Sequence, residues 1–298
     1  MYILFSPSEG KQTPAKSRCK RALEFLFHTT PYKQNALNAY LATLRSGDES
    51  LICRIFGTKT LELDTLALAQ NLLHTPRLPA IELYNGVAYK ALDFGNLPQD
   101  SQAFLLQSVL ICSNLFGFVR ASDELPFYKL HQGKGMKDFA LQTLYTAQKH
   151  DMDTLLANHE VLDLRAEIYA KVYPLDMPHT QISFLKNGKK LSHASKLYRG
   201  LYLRQLALSA SGAKKQKHIF CSETTQSKVA SDITESKHSQ DIDSDFVDTR
   251  SKNNGGLTPI VFAQVCLANL HKIHIEGLKL QDIIHNDHKQ TLVYEIVD

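Results

Sequence analysis

The stretch Leu191 to Ala207, LSHASKLYRGLYLRQLA, constrains the fold more than any other. Wound as a helix from about Ser195, it gathers Leu197, Tyr198, Leu201, Tyr202, Leu206 and Leu208 on one broad apolar arc. Lys196, Arg199 and Arg204 fall on the opposite arc with Gly200 between them, and Leu203 and Ala207 share that side. Such a helix is expected to bury one face and turn the basic one to solvent. A Gly in a basic face lacks the Cβ that would hold a ligand's backbone away. His193 stands just before the helix, near N–H groups that favour anions. An ordinary solvated basic face reads the same way, but the surroundings favour a polyanion. From Met177 to Ser222 there are nine Lys or Arg and no Asp or Glu.

The rest of the chain supplies a mixture of strands and helices. Tyr2 to Phe5 is a short buried strand followed by a polar loop, SPSEGK, which lacks the first Gly and the final Ser or Thr of a phosphate loop. Ser17 to Leu26 and Lys33 to Leu44 read as helices, and Glu49 to Leu68 as two helices joined at Phe56-Gly57-Thr58-Lys59. That turn suits a helix-hairpin-helix module or a plain helix connection. After Pro76 to Pro79, IELYNGVAYKAL reads as a strand-like approach to an Asn-Gly turn. Gln102 to Gln107 is a helix and Val109 to Ser113 a buried strand. LFGFVRASDELPFYKL follows, rich in turn residues and aromatics, and then the basic loop HQGKGMK. His159 to Leu164 is the next strand, with Asp163 and Arg165 at its end, where sites collect in α/β sheets. A structural Asp–Arg pair is the alternative role for those two residues. Gln181 to Leu185 and Lys189 to His193 flank Asn187-Gly188, a hairpin signal.

Lys214 to Gly256 is rich in Ser, Asp, Thr, Lys and Gln and too poor in apolar residues to offset ordering entropy. It is expected to be a disordered insertion. Thr258 to His271 then resumes as helix, and Thr291 to Val297 closes as strand, so residues 1–298 read as one domain with an excursion. The five Cys are scattered without a CxxC pair, which argues against a disulfide framework or zinc ribbon and fits a reducing cytosol. The start lacks the basic region of a signal peptide, and no apolar run approaches a membrane span. A cytoplasmic protein without membrane association is expected. The His and Cys show no metal-ligand spacing, so neither metal nor cofactor is expected.

Five motifs, ILFSPSEGK, YNGVAYKAL, LFGFVRASDELPFYKL, VLDLRAEIYA and LSHASKLYRGLYLR, resemble in order those of the YaaA family of bacterial peroxide-stress proteins. The resemblance runs from Met1 to about Ala210 and resumes at about Pro259. The chain has SHASK where the family tends to have SHFNK, keeping His193 and Lys196. The resemblance implies an α/β (mixed α+β) domain built round a mixed sheet with flanking helices and a basic cleft. It also implies a helix-hairpin-helix-like element, here Glu49 to Leu68, and sequence-nonspecific DNA binding. It implies protection of DNA, or restraint of free iron, under hydrogen peroxide. No protein partner is expected.

On this reading Lys11, Gly57, Lys59, Arg120, Lys129, Lys189, Lys190, Lys196, Arg199 and Arg204 would contact phosphates. Tyr84, Tyr89 and Tyr128 would stack on unpaired bases or pack in the core. The alternative is an enzyme acting on a nucleotide or phosphorylated small molecule. Glu9, Lys11, Asp163, Arg165 and His193 are then the catalytic candidates, converging with Lys196 and Arg199 in one pocket and with Glu9 or His193 as proton carrier. No enzymatic activity follows from the resemblance.

Overall fold

The computed structural model describes residues 1–13, 31–131, 141–190, 192–217 and 267–297; within these, the side chains of residues 192, 193, 212–217 and 268 are not described. The predicted helix Ser17 to Leu26, the HQGKGMK loop beyond His131, and the polar tract beyond Lys217 lie outside the described residues.

Three short apolar runs form the centre of the sheet: β1 (Tyr2–Phe5), β3 (Val109–Ser113) and β6 (Val161–Leu164). The other strands are β2 (Arg77–Pro79), β4 (Gly117–Arg120), β5 (Glu124–Pro126), β7 (His179–Lys186), β8 (Lys189–Lys190), β9 (Leu278–Asn286) and β10 (Lys289–Ile296). The main sheet runs β4-β3-β1-β6-β7-β10-β9, with β8 paired to β7. β1 is parallel to both β3 and β6, β6 is parallel to β7, and β7 is parallel to β10. β4 and β9 pair antiparallel at the two edges. β2 and β5 form a separate two-stranded sheet.

The central strands lack polar alternation because both their faces are covered. Ile3, Phe5, Val109, Ile111, Leu162 and Leu164 enter one apolar cluster, while Leu4, Leu110, Cys112 and Val161 enter another. This is the period of two of an extended chain, divided between two cores. The first face is covered by α1 (Pro31–Leu44), α2 (Glu49–Phe56), α3 (Leu63–Gln70), α4 (Ala80–Leu83), α5 (Val87–Leu92), α6 (Gln99–Ser108) and α10 (Ser192–Lys217). The second is covered by α7 (Leu141–Ala147), α8 (Lys149–Leu156) and α9 (Glu167–Val172).

Several sequence expectations change. Ile81 to Leu83, expected as a strand-like approach to the Asn-Gly turn, lie in α4, whose first residues bond back to the β4–β5 connection through Ala80 N–H to Asp123 O and Ile81 N–H to Ala121 O. Tertiary pairing overrides the local pattern there. LFGFVRASDELPFYKL contains two strands, β4 and β5. The described end of the predicted helix Thr258 to His271 is a 3₁₀ turn, Leu267–Lys272. β9 is an additional strand, antiparallel to β10.

The division of α10 differs most from expectation. The helix starts at Ser192, so His193 is inside its first turn. Tyr202 and Leu206 are buried, but so are Leu203 and Ala207 on the presumed basic side, whereas Leu197 is exposed. The helix packs on β7 and also on α5 and α6, so both faces are covered along this stretch. Gly200 meets the protein's own backbone: a Cβ there would lie 2.0 Å from the carbonyl oxygen of Ala88. No helix among the described residues is long and apolar enough to cross a membrane.

Candidate functional site

Because β3, β1, β6 and β7 run parallel, their carboxyl ends share one edge of the sheet, where an open α/β sheet leaves a crevice. The loop after β1 is built into this edge by the loop before α5. Asn85 N–H donates to Gly10 O at 3.0 Å, Gly86 N–H to Ser8 Oγ at 3.1 Å, and Gln12 N–H to Leu83 O at 2.9 Å. Gly86 is required by closeness, since a Cβ would come 2.6 Å from that of Ser8. Tyr89 Oη donates to Ser6 O, and Ser6 Oγ accepts from Ala166 N–H at 2.7 Å. α10 closes the edge by seating Gly200 on Ala88. Residues from ILFSPSEGK, YNGVAYKAL, VLDLRAEIYA and LSHASKLYRGLYLR therefore meet at one place.

Two cavities open here. One, of about 220 Å³, is lined by Phe5 through Gly10, Gly86 through Ala88, Ala166, Lys196 and Arg199. The other, of about 370 Å³, is lined among others by Arg165, Gln181, Ser183, Lys190, Arg199 and Lys289. Arg199 borders both. Its Nε is buried without a hydrogen-bond partner among the described residues. Burial pulls its pKa below the usual guanidinium range, while the charge of Asp163 pulls the other way.

Lys11 lies beside the first cavity, under the loop. Its Nζ donates to Ser8 O at 3.1 Å and sits 4.1 Å from the centre of the Tyr128 ring and 5.3 Å from that of Tyr84. Desolvation lowers its pKa to about 7, with Glu9 acting to raise it and Lys129 to lower it. The rings above it are joined: Tyr84 Oη and Tyr128 Oη lie 2.7 Å apart, and Tyr128 Oη is 2.9 Å from Ser113 Oγ. Burial pushes the Tyr128 phenol up to about 12 and raises those of Tyr84 and Tyr89 well above the usual phenol range. All three tyrosines are buried, with Tyr89 tilted against Tyr84. They are core residues, and their rings are not open to stack on bases.

Asp163 and Arg165 form a closed buried pair. Arg165 Nε donates to Asp163 Oδ1 at 2.8 Å and Nη2 to Oδ2 at 2.9 Å, while Nη1 donates to Tyr173 O at 2.8 Å. Burial disfavours the guanidinium charge, but the carboxylate outweighs it and the Arg165 pKa is raised. The pair thus has the geometry of the structural alternative, though Arg165 also reaches the wall of the second cavity.

The remaining predicted residues separate into distinct groups. Lys190 and Lys196 are exposed on cavity walls. Lys189 is exposed beside them on β8. Glu9 is exposed and pairs with His131 at 3.2 Å. Lys129 is half-buried, its ammonium 6.0 Å from the centre of the Phe56 ring. Arg204 is engaged: Nη1 donates to Leu92 O at 2.9 Å and to Asp93 O at 3.1 Å, and pairs with Asp93. Arg120 faces Leu110 across the β3–β4 ladder, near the amino end of β3 and away from the cleft. The side chain of His193 lies outside the described residues.

The α2–α3 hairpin is formed as two helices, with Lys59 exposed between them. Gly57 ends α2 at a φ of 69°, and its N–H and that of Thr58 donate to Arg54 O and Cys53 O. These two amides are used in the helix cap, and the space a Gly57 Cβ would enter holds the His131 ring. Phosphate contact by those N–H groups has no support in this geometry.

A family model described as peroxide stress protein YaaA matches residues 1–219. The chain belongs to this family. It is 40% identical over 205 residues to the uncharacterized protein Cj0984 of Campylobacter jejuni, covering 68% of this chain and 83% of that one. It is 30% identical over 223 residues to a UPF0246 protein of Corynebacterium glutamicum, covering 72% and 88%. A UPF0246 protein of Streptomyces coelicolor is 26% identical over 214 residues, with 69% and 82% covered. Membership of the YaaA family supports a role in peroxide stress. The matched region contains most of both cavity linings and ends before β10, which adds Lys289 to the second.

Residue reasoning missed Ser6, Ser8, Gly86, Val87, Ala88 and Lys289. The first five lie inside the motifs that carry the resemblance, so the signal was present as motif membership without a chemical role. Lys289 had no signal: it opens β10 opposite His179 at the amino end of β7, and only the β7–β10 pairing puts it in the wall of the second cavity.

Proposed function

We propose that the chain is a cytoplasmic peroxide-stress protein that binds DNA without sequence preference along the cleft at the carboxyl edge of the sheet, shielding it from oxidative damage. The observation that carries this is the convergence of Lys190, Lys196, Arg199 and Lys289 on two adjoining cavities, with Lys189 beside them. Phosphates are recognised by such cations without base readout. Arg204 and Arg120 are not in the contact set, the first being held by Asp93 and the second lying at the other end of β3. Limiting free iron is a further route to protection, and no group of three or more His, Cys, Asp or Glu suited to a metal occurs among the described residues.

The test is salt-dependent binding to a random duplex. With about five phosphates neutralised, log K falls against log salt with a slope of roughly −4 to −5. Lys190→Glu with Lys196→Glu, both exposed, is expected to lower affinity at least about tenfold with little loss of stability. A slope near zero, or unchanged binding by the double variant, sinks the reading.

A second reading, an enzyme acting on a nucleotide or phosphorylated small molecule, is favoured by one observation. Lys11, with a pKa near 7, lies beneath the same loop that lines the smaller cavity. An amine so poised suits general-base chemistry, but here it is covered by Ser8 O, Glu9 O and two rings. Thermal stabilisation by a panel of nucleotides and phosphorylated metabolites, followed by turnover of any stabiliser, tests it.

A further inference from the structure

Binding phosphates along a cleft requires cations at a surface and no apolar recess. The smaller cavity has one. Phe5 and Pro7 from the loop after β1, Val87 and Ala88 from α5, and Ala166 ahead of α9 provide its apolar walls. Charge is confined to particular sides: Lys196 and Arg199 come from α10, and the exposed Glu9 carboxylate stands at the loop. The buried Nε of Arg199, without a partner among the described residues, is a donor awaiting an acceptor. An unsatisfied buried donor is costly, and a bound anion relieves that cost.

A ligand matching these walls has a flat apolar body, hydrogen-bonding groups on its edge and an anion at one end. We propose that this cavity receives a single nucleotide, with the base against Pro7, Val87 and Ala88 and the phosphate at Lys196 and Arg199. Glu9, whose Oε1 faces His131 at 3.2 Å, would use its other oxygen to accept from an exocyclic amine or ring N–H. Within a continuous duplex the base is stacked and out of reach, so on a strand the nucleotide must be unpaired or extruded. The buried tyrosines offer no open ring for a base to stack on. The strand-borne form of the proposal rests on the DNA-binding reading above; a free mononucleotide is the other source of the same chemistry.

The experiment uses the full chain and three probes: a continuous duplex, the same duplex with a single-adenosine bulge, and dAMP. Val87 is half-exposed, so Val87→Trp fills the mouth without burdening the core. The bulged duplex is expected to bind at least about fivefold tighter than the continuous one, and Val87→Trp to bring the ratio of the two affinities, both measured on that variant, down to about one. Should Val87→Trp fold poorly, competition by dAMP against the bulged but not the continuous duplex reports the same site in the parent. If neither duplex binds but dAMP raises the melting temperature of the parent and not of Val87→Trp, the DNA reading fails and the nucleotide site stands. If the continuous duplex binds with the expected salt slope, the bulge brings no preference and dAMP no stabilisation, this proposal is overturned and the DNA reading survives. If no probe binds, both fall.

Discussion

Gly200 in α10 sits against the carbonyl oxygen of Ala88, so closely that a Cβ would lie 2.0 Å from it and 2.9 Å from the Cβ of Ala91. Backbone cannot move aside as a flexible side chain can. The contact holds α10 to α5, and with it the cations of α10 to the loops of the carboxyl edge. Gly200→Ala is expected to destabilise by about 1–3 kcal/mol from overpacking, despite the better helix propensity of Ala. Urea unfolding measures this, and a variant as stable as the parent would show that the helices separate without cost.

Asp163 and Arg165 predict a different pattern. Removing one member of a buried pair leaves the other charge uncompensated. Asp163→Leu or Arg165→Met alone is expected to cost about 3–5 kcal/mol. The double variant Asp163→Leu with Arg165→Met should lose less than the sum, although Tyr173 O then loses its donor. A double-mutant cycle on melting and chemical denaturation checks the sign of the coupling.

Lys11 gives stability a pH dependence. Its folded pKa is about 7 against the ordinary 10.5, so the folded state resists protonating an amine that the unfolded chain protonates readily. Between about pH 7 and 10.5 the unfolded state binds more protons, and this contribution to stability rises with pH. Below pH 7 the penalty is fully present. The stability of the parent relative to Lys11→Met is therefore expected to increase from pH 7 to pH 9.5. Denaturation series at the two pH values measure it; a flat difference would mean that Lys11 keeps an ordinary pKa.

Arg204 and Lys196 lie on the same helix and separate structure from binding. Arg204→Ala frees Leu92 O and Asp93 O and is expected to cost about 1–2 kcal/mol, allowing for partial solvent screening. DNA affinity should stay near that of the parent. Lys196→Ala should do the reverse, weakening DNA binding while stability stays within about 0.5 kcal/mol. Parallel melts and binding isotherms for the two variants test this crossed result.

Burial shields the Cys112 thiol from oxidants. Cys112 is fully buried, and desolvation pushes its pKa up to about 12, so the reactive thiolate is scarce at neutral pH. Cys112→Ser is therefore expected to leave any peroxide protection in cells intact, provided the folded yield is matched to the parent.

The sequence by itself determined the elements with strong periodic or apolar signals. YILF, VLICS and VLDL were legible as strands because only two polar residues interrupt the buried faces: Asp163, whose charge Arg165 two residues on meets, and Ser113, whose hydroxyl lies 2.9 Å from Tyr128 Oη. The Asn187-Gly188 hairpin and the break at Gly57 were legible because each requires a left-handed backbone, at φ of 52°, 69° and 69° for Asn187, Gly188 and Gly57. The five motifs marked the family and, taken together, most of the site. Only the tertiary structure decided which cations remain available. On a helical wheel Arg204, Arg199 and Lys196 share a face. In the fold, Arg204 is held at Asp93, Arg199 is half-buried between two cavities and Lys196 alone of the three is exposed. A wheel assigns one face to core and one to solvent, but α10 is covered on both sides by β7, α5 and α6. For the same reason Gly200 reads as an opening for a ligand in sequence and is an interhelical contact in space. Lys289 joins the cleft only because β10 pairs parallel to β7, a contact between residues more than a hundred positions apart that no local pattern encodes.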